Sequence, residues 1–155
     1  MAEQTFTENE LQLVVFKLGR EEYAISILQV QEIKRMTDIT RVPYTPDYIR
    51  GVMNLRGSVL PVLDLKRRLS LQAGEFTDDT RIVIVKIQEI TVGLIVDAVS
   101  EVMAISHENI ESSQSVVTDV AANYLDGVGK LDNRLLILLN LEAIIGMNQE
   151  NAKVG

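Results

Sequence analysis

The sequence predicts a mainly β protein built from two diverged copies of one small barrel, with only a few short helices. Three observations carry this reading. Short runs of β-branched and apolar residues recur with tight turns between them. The pattern of runs repeats along the chain, first at an offset of 69 residues and then at 76. Each copy ends on a strand, then Asp or Asn, then a short helical stretch.

The elements follow in order. Residues 11–18 (LQLVVFKL) are rich in strand-forming side chains. Residues 22–27 (EYAISI) place Tyr23, Ile25 and Ile27 on one face, which is a second strand, and Gly19, Arg20 and Glu21 form the turn between them. Residues 82–87 (IVIVKI) and 91–96 (TVGLIV) restate this hairpin: Val14 matches Val83, Lys17 matches Lys86, Val30 matches Val99 and Glu32 matches Glu101. The likeness resumes where YIRGVMNLRGSVLPVLDL (48–65) matches YLDGVGKLDNRLLILLNL (124–141) at seven of eighteen positions. The offset grows by seven, so the second copy holds a seven-residue insertion within 103–123, which reads as a longer loop.

The shared ending has a physical meaning. Asp64 and Asn140 each follow a strand and precede LKRRL and LEAII, and both are good helix N-caps because a side-chain oxygen accepts an orphan backbone N–H. Gly146 ends the second helix. Pro46 to Gly51 reads as another short helical turn, with Pro near its start and Gly after it. About five short strands per copy suggest a closed or half-open barrel. Roughly 70 residues make a marginal core alone, so the copies are expected to pack together and share apolar surface. The expected unit is therefore 11–147, with copy one at about 11–75, copy two at about 80–147, and flexible tails at 1–10 and 148–155. Strand 11–18 can stay in its own barrel or cross to the other, and both remain open.

Composition excludes most chemistry. There is no Cys, which removes thiol catalysis, disulfides and thiolate metal sites, and the one His, His107, cannot supply two imidazoles to a metal. No metal or cofactor is expected. Net charge is −7, all of it in residues 76–155, where five Lys/Arg face twelve Asp/Glu; residues 1–75 hold ten of each. An acidic surface repels phosphate backbones, so nucleic acid is not an expected partner. The polar start carries no secretory signal and no apolar run spans a bilayer, which suits a cytoplasmic protein without direct membrane insertion.

The ionisable candidates in copy one are Glu32, Asp38, Asp64, Arg41, Arg50 and Arg56. Paired carboxylates could do acid–base work, which keeps a small carboxylate-dependent enzyme as the alternative. Asp64 already has a capping role, however, and Asp38 falls in a loop. His107 reads as a solvated loop residue. Lys66, Arg67 and Arg68 read as a solvated basic face, with anion binding as the sharper option. Pro43-x-x-Pro46 is a weak polyproline-recognition spacing. The turn Asn54-Leu55-Arg56-Gly57 stands out because copy two has Lys130-Leu131-Asp132-Asn133 there. Arg56 is either a solvated side chain or a surface partner of Glu32, or else an interface anchor, since Arg is enriched at hot spots.

VQEIKR (30–35), RVPYTPDYIRGVMNLRGSVLPVLDL (41–65) and IVIVKIQEITVGLIVDAVSEV (82–102) together resemble the CheW family of bacterial chemotaxis coupling proteins, over roughly 11–147. The resemblance implies two SH3-like five-stranded β-barrel subdomains around a shared hydrophobic core. It implies no catalysis and no cofactor. It implies an adaptor that links the cytoplasmic tips of methyl-accepting chemoreceptors to the regulatory domain of the histidine kinase CheA in two-component signalling arrays at the membrane. The receptor contacts it carries over fall on Val30, Glu32, Gly51 and Arg56, with Asn54, Leu55 and Gly57 completing the turn motif. Kinase contacts do not carry over residue by residue. The acidic second copy and its insertion are a candidate second partner face. A CheW-like regulatory module of another kinase system is the remaining alternative; the Met1 start, the short tails and the lack of receiver and kinase sequences favour a stand-alone coupler.

Overall fold

Each apolar run named above forms a strand. The computed structural model describes residues 10–72, 74–112 and 124–146. Within them the chain runs through β1 (Glu10–Leu18), β2 (Glu21–Ser26), β3 (Val30–Arg35), β4 (Ile49–Leu55), β5 (Ser58–Asp64) and the one-turn helix α1 (Leu65–Arg68). It continues through β6 (Arg81–Ile87), β7 (Ile90–Val96), β8 (Ala98–Ser106), β9 (Ile110–Glu111), β10 (Leu125–Leu131), β11 (Arg134–Leu139) and the one-turn helix α2 (Leu141–Ile144).

The strands form two sheets, of order β8-β1-β2-β11-β10-β9 and β3-β6-β7-β5-β4. The two orders are related by the sequence repeat, but each sheet mixes the copies. The hairpin β6–β7 opens the second copy, yet it pairs with β3 and β5 of the first. In return β2 pairs in parallel with β11. Both parallel joints fall at equivalent places, Val62↔Gly93 and Leu138↔Ala24 among them. By compactness the chain likewise divides into residues 10–15, 21–28 and the described part of 100–155, and a second unit of 16–20 and 29–99.

Each unit has its own apolar cluster. Leu13, Val15, Ala24, Ile105, Leu136 and Leu138 fill one. Met53, Leu60, Val62, Ile82, Ile84 and Ile95 fill the other. Fully burying such side chains contributes about 1.5–3 kcal/mol each, which is what holds strands this short in register.

The mainly β, two-subdomain fold is the one expected, in the half-open form: the ladders do not close, and one sheet has six strands. Past β3 the chain returns to the free edge of β4 only as a single bridge, Thr40↔Val52, with N–H···O distances of 2.9 and 2.8 Å. It cannot extend that bridge regularly, because Pro43 and Pro46 lack the N–H a ladder needs. In the second copy β9 performs the same return, with Glu111 facing Val128. Two expectations need correction. First, Pro46–Gly51 is not helical: Ile49 N–H bonds Pro46 O at 3.0 Å in one turn, and β4 begins there. Second, the described part of 103–123 is not loop but the end of β8, a 3-10 turn at His107–Asn109, and β9. Residues 113–123 lie outside the described residues, as do 1–9 and 147–155. Thr40 and Glu111 are 71 apart, so two of the seven extra residues precede Glu111 and five follow it.

Both predicted caps form. Asp64 Oδ1 accepts from Lys66 N at 3.1 Å and Arg67 N at 3.4 Å, and Asn140 Oδ1 accepts from Ala143 N at 3.2 Å.

Candidate protein-docking site

The Asn-Leu-Arg-Gly turn is built by its own residues. Leu55 and Ser58 are the last ladder pair of β4 and β5, which leaves Arg56 and Gly57 as a two-residue loop. Both have positive φ, 49° and 91°, the left-handed pair that matches the twist of a hairpin. Asn54 Oδ1 accepts the Gly57 N–H at 2.9 Å and fixes the loop. Leu55 packs under it against the apolar cluster. Arg56 is thereby held out from the sheet, with its side chain 71% exposed.

Arg56 Nη2 donates to Glu32 Oε2 on β3 at 2.5 Å. This hydrogen bond, reinforced by the charges of Arg56 and Lys34, holds the Glu32 carboxyl below the ordinary glutamate range, against a smaller desolvation effect. Glu32 in turn raises Arg56 further above its usual value. The pair joins β3 to the β4–β5 turn across the sheet order, in which those strands lie at opposite edges. A bulge between Val30 and Glu32 sets Gln31 out of register.

The structure therefore brings Glu32, Asn54, Leu55, Arg56 and Gly57 together. Val30 is half-buried at the start of β3, facing Val85. Gly51 is apart from the turn and buried in β4, where the Thr40 backbone covers it. A cleft of about 460 Å³ beside the turn is lined by Gln31, Leu55, Arg56, Val59, Glu89 and Thr91 among others, not by Val30 or Glu32. Val59 was missed by the sequence reading. It is 68% exposed on the outer face of β5, and its repeat mate Leu135 is 61% exposed. The signal was present: an apolar residue stands at the same solvent-facing position in both copies.

The second copy keeps the ion pair in altered form. Asp132 replaces Arg56, but Arg134 at the start of β11 reaches Glu101, the mate of Glu32, at 2.8 Å, and holds Glu22 through two bonds of 3.0 and 3.1 Å. The basic run behaves differently from a solvated face. Lys66 pairs with Asp97 at 3.0 Å, Arg67 lies 3.6 Å from Asp47 and 3.8 Å from Asp64, and Arg68 stacks over Tyr48 at 4.3 Å. His107 is exposed at its 3-10 turn. No group of three or more metal-ligating side chains occurs among the described residues.

A preorganised charged turn beside an exposed apolar residue, on a two-sheet β scaffold, is the kind of surface that protein-interaction modules present. The CheW-like domain family matches residues 12–149, so the chain belongs to that family. It is 40% identical to the chemotaxis protein CheW of Bacillus subtilis over 145 residues, covering 92% of this chain and 91% of that one. It is 36% identical to the chemotaxis protein CheW of Klebsiella aerogenes over 138 residues, covering 89% and 83%. The crystal structure of the scaffolding protein TtCheW from Thermoanaerobacter tengcongensis superposes with a TM-score of 0.81 at 38% identity, over 86% of this chain and 91% of that one.

Proposed function

We propose that this chain is a non-enzymatic chemotaxis adaptor that couples the cytoplasmic tips of chemoreceptors to the histidine kinase CheA, recruited to receptor arrays at the membrane. Residues 11–147 act as one module in this reading. The observation that carries it is the Glu32–Arg56 pair, displayed on a fixed two-residue turn beside the exposed Val59. A receptor tip is a helical hairpin, and a helix face with an apolar stripe and flanking charges fits such a surface. Val30 contributes apolar surface at the edge of β3. Gly51 contributes shape, by letting Thr40 close on β4. The adaptor couples receptor and kinase only by as much as its contacts differ between their states.

The test is capture by a purified chemoreceptor cytoplasmic fragment and, separately, by the CheA regulatory domain. Both are expected to bind the unmodified protein. Arg56→Ala and Val59→Ser should weaken receptor capture at least tenfold while the folded NMR spectrum is kept. Unchanged capture by both variants would remove the turn from the receptor contact, and robust hydrolase or transferase turnover abolished by Glu32→Ala would overturn the adaptor reading.

A further inference from the structure

A second cleft, of about 510 Å³, opens at the other end of β4 and is lined by Arg41, Arg50 and Arg67 together with Tyr44. Arg50 and Arg56 are six residues apart on an extended strand, so the cleft lies roughly 20 Å from the turn. Among the described residues that line it, the carboxylate is Asp47, 3.6 Å from Arg67. It is thus a cationic site on a chain whose net charge is −7.

The repeat acts as an internal control on whether the fold needs this charge. Arg50 is the extra residue of a β-bulge between Ile49 and Gly51, and a bulge turns its side chain away from the ladder. The same bulge occurs between Leu125 and Gly127, and the residue there is Asp126. Arg67 corresponds likewise to Ala143 in α2, where Asn140 still caps the helix. The architecture therefore forms with Asp and Ala at these two places, so the repeat itself does not require arginine at either.

The cleft is also held ready. Arg50 stacks on the Phe76 ring, 4.9 Å from its centroid, and Arg67 is positioned by Asp47 and Asp64. The loop that forms the far wall is stiffened by Pro43 and Pro46, which fix φ, and by Thr45 Oγ1 donating to Val42 O at 3.1 Å. Tyr44 sits in that loop with φ 62° and its side chain fully in solvent. A non-glycine residue in this conformation is uncommon, and it leaves the ring exposed in the lining of the cleft.

We propose that this cleft docks an acidic extended peptide segment, its carboxylates held by the guanidinium forks of Arg41, Arg50 and Arg67 and an apolar or aromatic side chain laid against Tyr44. Guanidinium suits carboxylate because its planar donors can bind both oxygens. The site is independent of the turn at Arg56, so a partner held here leaves that turn free.

The experiment uses the full chain, titrated with a fluorescent peptide of six glutamates and one tyrosine, and with the same peptide carrying glutamines. The glutamate peptide should bind, shift the backbone NMR signals of residues 41–50 and 67, and weaken as salt is raised. Arg50→Asp and Arg67→Ala, which copy the second repeat, should each cut affinity about tenfold. Equal binding of both peptides, or shifts confined to other residues, would overturn the proposal. So would inorganic phosphate displacing the peptide at equal molar concentration, since the cleft would then be a small-anion site.

Discussion

Gly51 on β4 leaves room for the carbonyl oxygen of Thr40 where a side chain would otherwise start. A β-carbon at Gly51 would fall well inside that oxygen, and also within 2.9 Å of the Ile39 side chain. The backbone there has φ 149°, within the range that disfavours L side chains. The contact is what permits the Thr40↔Val52 bridge on the open edge of β4. Its repeat mate Gly127 lies the same way beneath Glu111, where a β-carbon would stand 2.6 Å from the carbonyl oxygen.

The expected order of glycine sensitivity follows. Gly51→Ala should lower stability most, by about 3 kcal/mol, since it combines backbone strain with a clash against backbone. Gly127→Ala, with the clash alone, should cost about 2 kcal/mol. Gly57→Ala meets no atom within 4 Å but keeps φ 91°, so about 1 kcal/mol of strain is expected. Urea denaturation of the three variants checks the order. A Gly51→Ala protein as stable as the parent would show that the Thr40 edge is not a structural contact.

The titration of Glu32 tests the ion pair directly. Its carboxyl lies below the ordinary glutamate range because Arg56 bonds its charged form. A depressed folded value means the pair contributes above the unfolded glutamate pKa and is lost as pH falls through the folded one. Carbon-detected NMR of the side chain should therefore show Glu32 titrating below the ordinary glutamate range. In Arg56→Ala it should move up toward the ordinary glutamate range. A Glu32 midpoint unaffected by Arg56→Ala would mean the pair is not populated in solution.

Much of this was readable in the residues. Strands followed from β-branched runs, and the caps at Asp64 and Asn140 followed from one side-chain oxygen placed after a strand. The Glu32–Arg56 pairing was open because hairpin geometry does not reveal which strand lies across the sheet. The exchange of hairpins was hidden for a related reason. Similarity tells which segments are alike, such as 11–27 and 80–96, but not which one fills the gap beside β5; the long-range register Leu63↔Leu94 decides that. The role of Gly51 was likewise out of reach, since Thr40 meets it only through backbone.

The two caps should differ in strength. Asp64 is buried, accepts two backbone N–H groups and lies 3.8 Å from Arg67, whereas Asn140 accepts one. Asp64→Ala should cost about 2 kcal/mol and Asn140→Ala about 1 kcal/mol. Asp64→Asn should recover most of the loss, because the second copy caps with Asn at the same place. Thermal unfolding of the three variants measures this. A failure of Asn to rescue would assign the effect to the charge of Asp64, through Arg67, in place of its capping oxygen.

Asp126 gives the opposite pH signature. Partial burial pushes its carboxyl above the ordinary aspartate range, and the nearby charge of Glu142 adds to this. A raised folded value favours the native state at low pH; that gain is lost as pH rises through the folded value, so at neutral pH the charge is a strain on the fold. Asp126→Asn should raise stability at pH 7, by only about 0.5 kcal/mol because solvent still screens the group. The advantage should shrink steadily as pH falls below the folded value. Glu142→Gln should bring the Asp126 midpoint down. Denaturation midpoints for both variants at neutral and acidic pH decide the matter, and an Asp126→Asn protein less stable than the parent at pH 7 would show that this carboxylate has a partner that needs its charge.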